Sequence, residues 1–271
     1  MSFKGARFSP EKFEMRYAKG THSISASRDI PLLVHVRNSK FITHQQLFEL
    51  AQLAACEHSR ESFNWRVKRL VHAGYISASQ GNFGNGAVVY RIARPGLIQL
   101  ENHGKFAASL NSGTQHLPHP SHVYHALELN SIQLALARSN VLITWQSDVE
   151  TASANTVSTR PLEKDYDAVV DVWNNDTIAR FGLEYERTLK SARQYERIRR
   201  ALETEGMLNC ILYLTAGAGI SLHLANELSG IPKRLAFATS AAFRKDLLDT
   251  MVLTYPDELE SPFRSQLHGI F

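Results

Sequence analysis

Three acids and a lysine in the second half of the chain are the side chains best suited to chemistry. Asp167 falls in the run Tyr166-Asp167-Ala168-Val169-Val170-Asp171-Val172-Trp173; Glu184 and Glu186 end the run from Ile178, and Lys190 follows four residues on. β-Branched and aromatic residues fill both runs, and Asn174-Asn175-Asp176 separates them, so the pattern predicts an antiparallel hairpin. The start of one strand then lies beside the end of the other. Asp167 and Glu184 converge at one sheet edge, and Glu184 and Glu186, two apart, face the same way. Lys190 is expected one turn into the next helix. Clustered carboxylates suit Mg²⁺ or Mn²⁺, which lowers the pKa of its bound water, while an amine balances charge on a phosphodiester. The expected catalytic set is Asp167, Glu184, Glu186 and Lys190, with the three acids as metal ligands. Solvated carboxylates on two strands beside helix charges would give the same pattern.

The elements that must position these residues alternate. Apolar spacing predicts a helix over 123–137, then a short strand over 141–145 and the hairpin strands over 166–173 and 178–186. A charged helix over 188–202 follows, with Leu189, Ala192, Tyr195 and Ile198 as its apolar side. A strand over 210–215, a helix over 222–228 and a last strand over 235–239 complete the order. The expected fold class is α/β, α+β overall, with a central mixed sheet over residues 122–271. Tyr195 could attack phosphate, but its place on the apolar stripe favours a packed side chain.

Charge divides the chain unevenly. Residues 1–115 carry fifteen Lys and Arg against seven Asp and Glu; residues 116–271 carry fifteen against nineteen. A basic half suggests a polyanionic partner, although scattered surface charge also produces such imbalances. The turn-rich stretch around Asn111-Ser112-Gly113-Thr114, Pro118 and Pro120 predicts a linker over 111–121. Residues 1–27 read as a basic arm. Within 28–110 a helix is expected over 28–36. A second is capped by Thr43 and buries Leu47, Phe48, Leu50 and Ala51. A third starts at Ser59 or Arg60, with Phe63, Val67, Leu70 and Val71 on one face. Gly74 ends it, and strands over 75–77 and 87–92 flank the glycine-rich turn 81–86. Three helices and a hairpin are the order of a winged helix-turn-helix, whose third helix enters the major groove. The expected DNA contacts are Arg60, Asn64, Arg66 and Lys68 from the helix, with Arg91 and Arg94 beside the wing. A winged helix used only for protein contacts remains the alternative.

The segment from Ser62 to Arg91, above all "VKRLVHAGYI", resembles winged helices of bacterial transcription regulators. The Asp167 and Glu184-Tyr185-Glu186 pattern resembles restriction-endonuclease-like nucleases, which carry an aspartate and then Glu-x-Lys on the next strand. Tyr166 stands where that family often has proline, and Glu186 replaces the lysine, so Arg187 or Lys190 must supply the cation. Over about Arg28 to Val252 the chain resembles the replication-relaxation family, which includes MobC-type plasmid relaxases. The stretches that carry the likeness are "SHVYHALELNSIQLAL", "YDAVVDVW" and "GLEYERTLKSARQYERI". This resemblance implies a sequence-specific, double-stranded-DNA-binding protein of a mobile element. It implies a winged helix followed by a nuclease-like domain, and Mg²⁺-dependent nicking or relaxase activity in plasmid mobilisation or replication. Asp167, Glu184 and Glu186 then match the metal-binding acids, Lys190 the basic helix residue and Tyr195 the helix tyrosine.

Other chemistries are weaker. Two cysteines, Cys56 and Cys210, are too few for a disulfide framework or a thiolate zinc site. No run of apolar residues is long enough to cross a membrane, and Met1 to Gly5 lacks the apolar core of a secretory signal. A cytoplasmic chain is expected. His122 and His125 could share a metal only if a third ligand arrived. Gly217-Ala218-Gly219 lacks the further residues of a phosphate loop. The rival to a nickase is a non-enzymatic transcription regulator or replication accessory factor. Its nuclease-like domain would be inactive and used to form a homodimer or to recruit other mobilisation or replication proteins.

Overall fold

The computed structural model describes residues 24–80, 86–107, 119–255 and 263–271. Most of the expected arm, the expected turn 81–86 apart from Gly86, and the expected linker up to residue 118 lie outside these ranges. Among the described residues the chain is mixed α/β, and no helix is long and apolar enough to cross a membrane.

The N-terminal half begins with α1 (Asp29–Ser39), the short β1 (Ile42–Thr43) and α2 (His44–Leu53), followed by α3 (Arg60–His72). The starts of α2 and α3 are written in the sequence. Thr43 accepts from Gln46 N–H while the Gln46 side chain accepts from Thr43 N–H, a capping box. Ser59 accepts from Ser62 N–H at 3.1 Å to open α3. That helix ends in a Schellman turn: Tyr75 N–H reaches Leu70 O, Gly74 N–H reaches Val71 O, and Gly74 takes φ +74°. β2 (Ile76–Gln80) and β3 (Val88–Ile92) pair antiparallel, with β1 added beyond β3. α4 (Arg94–Asn102) closes the half against α1. A Cβ on its Gly96 would stand 2.2 Å from Tyr75 O, so only glycine permits this approach.

The C-terminal half starts with α5 (Pro120–Arg138), β4 (Leu142–Ser147), α6 (Asp148–Val157), β5 (Ala168–Asn174) and β6 (Thr177–Glu186). It continues through α7 (Ala192–Thr204), β7 (Cys210–Thr215), α8 (Ala218–Glu227), β8 (Arg234–Thr239) and α9 (Ser240–Asp246) to β9 (Met251–Thr254) and β10 (Phe263–Gln266). Seven strands lie in the order β10-β9-β8-β7-β6-β5-β4. β4, β5 and β6 form an antiparallel meander, β6, β7 and β8 run parallel, and β9 and β10 return antiparallel. β7 is buried at every position because both faces are covered, which accounts for its unbroken apolar run. Leu212 and Leu214 face Ile132 and Leu136 of α5; Ile211 and Tyr213 face Tyr195 and Leu202 of α7.

Several expectations need correction. The helix predicted over 188–202 begins only at Ala192, after its cap Ser191, so Lys190 precedes the helix. α4, α6, α9 and the returning β9 and β10 were not anticipated. The two halves also share an element. Leu134 of α5 joins the N-terminal core, whereas Ile132 and Leu136 join the C-terminal one. Gln46 donates to Leu127 O at 2.8 Å and Asn130 to Phe41 O at 2.8 Å, which ties α5 to the first half.

Candidate functional site

A cleft of about 890 Å³ runs between the halves, walled by the end of α1, the start of α5, the ends of β4 and β6 and the residue before β5. Strand register fills it. Ala168 pairs with Leu183, so the preceding Asp167 stands opposite Glu184 at the mouth of the hairpin. The structure therefore brings Asp167, Glu184, Glu186 and Lys190 to one cleft.

Each acid has its own basic partner. Asp167 Oδ1 lies 3.1 Å from His125 Nε2, and its Oδ2 accepts from Tyr185 N–H at 2.8 Å. Burial alone would raise the Asp167 carboxyl. The His125 hydrogen bond and charge, the Tyr185 N–H and the charge of Lys164 outweigh burial and hold it below its ordinary value. Burial likewise opposes protonation of His125, yet Asp167, Glu184 and Glu186 raise its pKa. Glu184 is 6% exposed, and Lys164 Nζ lies 2.9 Å from its Oε1. Beyond this ion pair the buried Oε1 has no hydrogen-bond partner. Burial, with Asp167 adding to it, pushes Glu184 up to about 7 against the pull of Lys164 and Lys190. Glu186 is bound by the Lys190 ammonium.

The expected metal set does not come together as three ligands. Among the described residues no group of three His, Cys, Asp or Glu side chains is placed to hold a metal ion. Glu186 lines the same cleft with its carboxylate paired to Lys190. Asp167 and Glu184 face each other as a pair of hard oxygen donors. Tyr195 is packed in the core, its hydroxyl accepting from Lys190 N–H at 3.0 Å, and it faces no open space.

The expected DNA contacts divide sharply. Arg60, Asn64 and Lys68 are exposed on α3. Arg60 lies 4.6 Å over the Phe48 ring, and Asn64 Oδ1 is 2.8 Å from His44 Nε2. Arg91 is half-buried and donates to Ser77 Oγ at 2.9 Å; Arg94 is exposed at the start of α4. Arg66 is the correction. It is 5% exposed, with its guanidinium 2.8 Å from Asp29 Oδ1 and bonded to Glu57. It binds helices together inside the fold and cannot touch DNA from there.

Compared with family models, curated proteins and solved structures, the chain matches none. The site therefore rests on its own geometry.

That geometry adds residues that sequence reasoning missed. Lys164 carries a signal, three residues before Asp167 in Glu163-Lys164-Asp165-Tyr166-Asp167 and so at the same strand end. His125 was weighed only as a metal ligand beside His122. Its partner is instead an aspartate 42 residues away, which no local pattern shows. Lys40 and Asp148, paired across the cleft, come from elements of different halves and carried no signal.

Proposed function

We propose that this chain binds double-stranded DNA and presents a strand to a nuclease-like cleft for metal-dependent nicking. The carrying observation is the convergence of Asp167 and Glu184, flanked by Lys164 and Lys190, where β5 begins and β6 ends at the cleft between the halves.

The frame supports this reading. Helix, antiparallel β4-β5-β6, helix and a parallel β7 is the order expected of a restriction-endonuclease-like domain. Three helices with a hairpin is that of a winged helix. The likeness to the replication-relaxation family adds relaxation of supercoiled DNA in plasmid mobilisation or replication as the biological setting. On α3, Arg60 and Asn64 are the base-reading candidates and Lys68 the phosphate contact; Arg91 and Arg94 flank the hairpin.

The donor pair suits Mg²⁺, which binds through one or two carboxylates and keeps water and substrate phosphate as its other ligands. Asp167 and Glu184 would hold it, and the Glu184 oxygen without a hydrogen bond is a buried group short of compensation. When bound, the metal supplies a water acidic enough to attack phosphorus at neutral pH. The rest belongs to the chain. His125 and the Tyr185 N–H fix Asp167 in its ionised form. Lys164 pairs with Glu184, and Lys190 and Arg187 line the wall that the phosphates would follow.

One observation favours a second reading. Each of the three acids already has a basic partner, and among the described residues no three-ligand group forms, as in a DNA-binding regulator whose nuclease-like domain does not cut. A mobility-shift assay on duplex DNA tests the shared part. Wild type and Asp167→Asn are expected to shift the duplex alike in EDTA, whereas Arg60→Ala with Lys68→Ala weakens the shift. No shift by the wild type refutes both readings.

A further inference from the structure

The residue that crosses the cleft from the N-terminal half is held in an unusual backbone. Lys40 has φ 57° and ψ −53°, and Phe41 N–H reaches back to Ser39 O at 2.5 Å. This is the positive-φ γ-turn, rare and strained in L-residues. Glycine would make the same turn without strain. Such strain persists only where the surroundings over-determine it, and it gathers at ligand-binding and catalytic sites.

What the turn achieves is the direction of one side chain. It aims Lys40 out of the end of α1 at Asp148, in the first turn of α6, and the two form an ion pair. Asp148 N–H in turn donates to Asp167 O at 3.1 Å, so the pair abuts the strand end that carries the catalytic carboxylate. Lys40, Asp148, Asp167, Glu184 and Lys190 line one cleft. The Lys40 side chain remains 49% exposed and that of Asp148 24%, so a ligand can reach the pair. A tether between the halves needs no strained lysine, because α5 already joins them.

We propose that Lys40 is a phosphate-contacting residue of the cleft, held by Asp148 until a nucleic-acid strand takes its ammonium. The inference rests on the nucleic-acid reading above and adds a contact made by the first half at the cleft itself. A phosphodiester attracts Lys40 and is repelled by Asp148, so its entry exchanges one partner for another. The contact is electrostatic and independent of base sequence, and it gives the two halves a common substrate strand.

Fluorescence anisotropy of a labelled duplex in EDTA, followed through a salt titration, tests this. Lys40→Gln and Lys40→Gly are each expected to weaken binding roughly tenfold, and to lower the slope of log affinity against log salt by about one. The glycine variant accepts the turn without strain, so a loss shared with Lys40→Gln reports the missing ammonium and not a distorted turn. Asp148→Asn is expected to tighten binding, because it removes the competing acid. Unchanged affinity and slope in both Lys40 variants overturns the proposal and leaves the proposed function standing. Weakening by Asp148→Asn equal to that of the Lys40 variants also overturns it, since the pair would then be a structural tether. Absence of binding by the wild type overturns both.

Discussion

Lys164 Nζ lies 2.9 Å from Glu184 Oε1, a buried oxygen with no hydrogen bond beyond that ion pair. Glu184 therefore carries a buried charge that its one close cation compensates only in part, and its pKa rises from 4.5 to about 7. A carboxyl raised in the folded state keeps its proton where the unfolded chain has lost it. Its contribution to stability is therefore lost as pH rises from about 4.5 to about 7 and changes little above. Urea unfolding of wild type and Glu184→Gln across this window should show a decline in the wild type that is reduced in the variant. Parallel curves would contradict the burial argument.

Arg66 gives the opposite case, a charge fully committed to the fold. It joins Asp29 at the start of α1 to Glu57 before α3, and Arg69 and Arg28 close the cluster from either side. Removing one member of a buried ion cluster strands the others, at a cost of about 3–5 kcal/mol. Arg66→Ala is expected to destabilise the N-terminal half by that order in chemical denaturation, while Arg60→Ala leaves stability within about 0.5 kcal/mol. Equal stability of the two variants would return Arg66 to the surface.

The same cluster should fail in acid. Burial works against the Asp29 carboxylate, but bonds from Arg69, the Ser25 N–H and Arg66 hold its pKa below the ordinary value. A lowered carboxyl contributes stability that is present above the unfolded value near 3.8 and is lost as pH falls through the folded value. Asp29→Asn should abolish that part of the acid transition, as followed by circular dichroism between pH 5 and 2. An unchanged transition would show that other groups govern it.

How far the sequence carried these conclusions depended on the range of each signal. The hairpin was legible because β5 and β6 are long runs rich in β-branched and aromatic residues around an asparagine turn, and its register alone puts Asp167 beside Glu184. The caps at Thr43 and Ser59 were legible because capping is local. Arg66 carried a warning in its spacing: it falls three residues after Phe63 and four before Leu70, on the buried stripe of α3. Charge outweighed position in that reading. His125, Lys40 and Asp148 were not legible, because each acquires its role from a partner brought near by tertiary packing.

The strained turn makes a further stability comparison possible. Lys40→Gly and Lys40→Ala both delete the ion pair with Asp148, but only glycine accepts φ 57° freely. The glycine variant should be the more stable of the two by about 1 kcal/mol, within the range for strained backbones. Thermal melts compare them directly, and alanine matching or exceeding glycine would mean that the turn is not strained.

The central claim is that Asp167 and Glu184 serve DNA cleavage, and relaxation of a supercoiled plasmid carrying the DNA that flanks this chain's own gene tests it most directly. Wild type should produce open circles with Mg²⁺ or Mn²⁺ and none with EDTA. Asp167→Asn and Glu184→Gln should bind the same DNA and leave it supercoiled. Supercoils left intact by the wild type, with the DNA band shifted in the same reactions, would contradict the account and assign the cleft to binding alone.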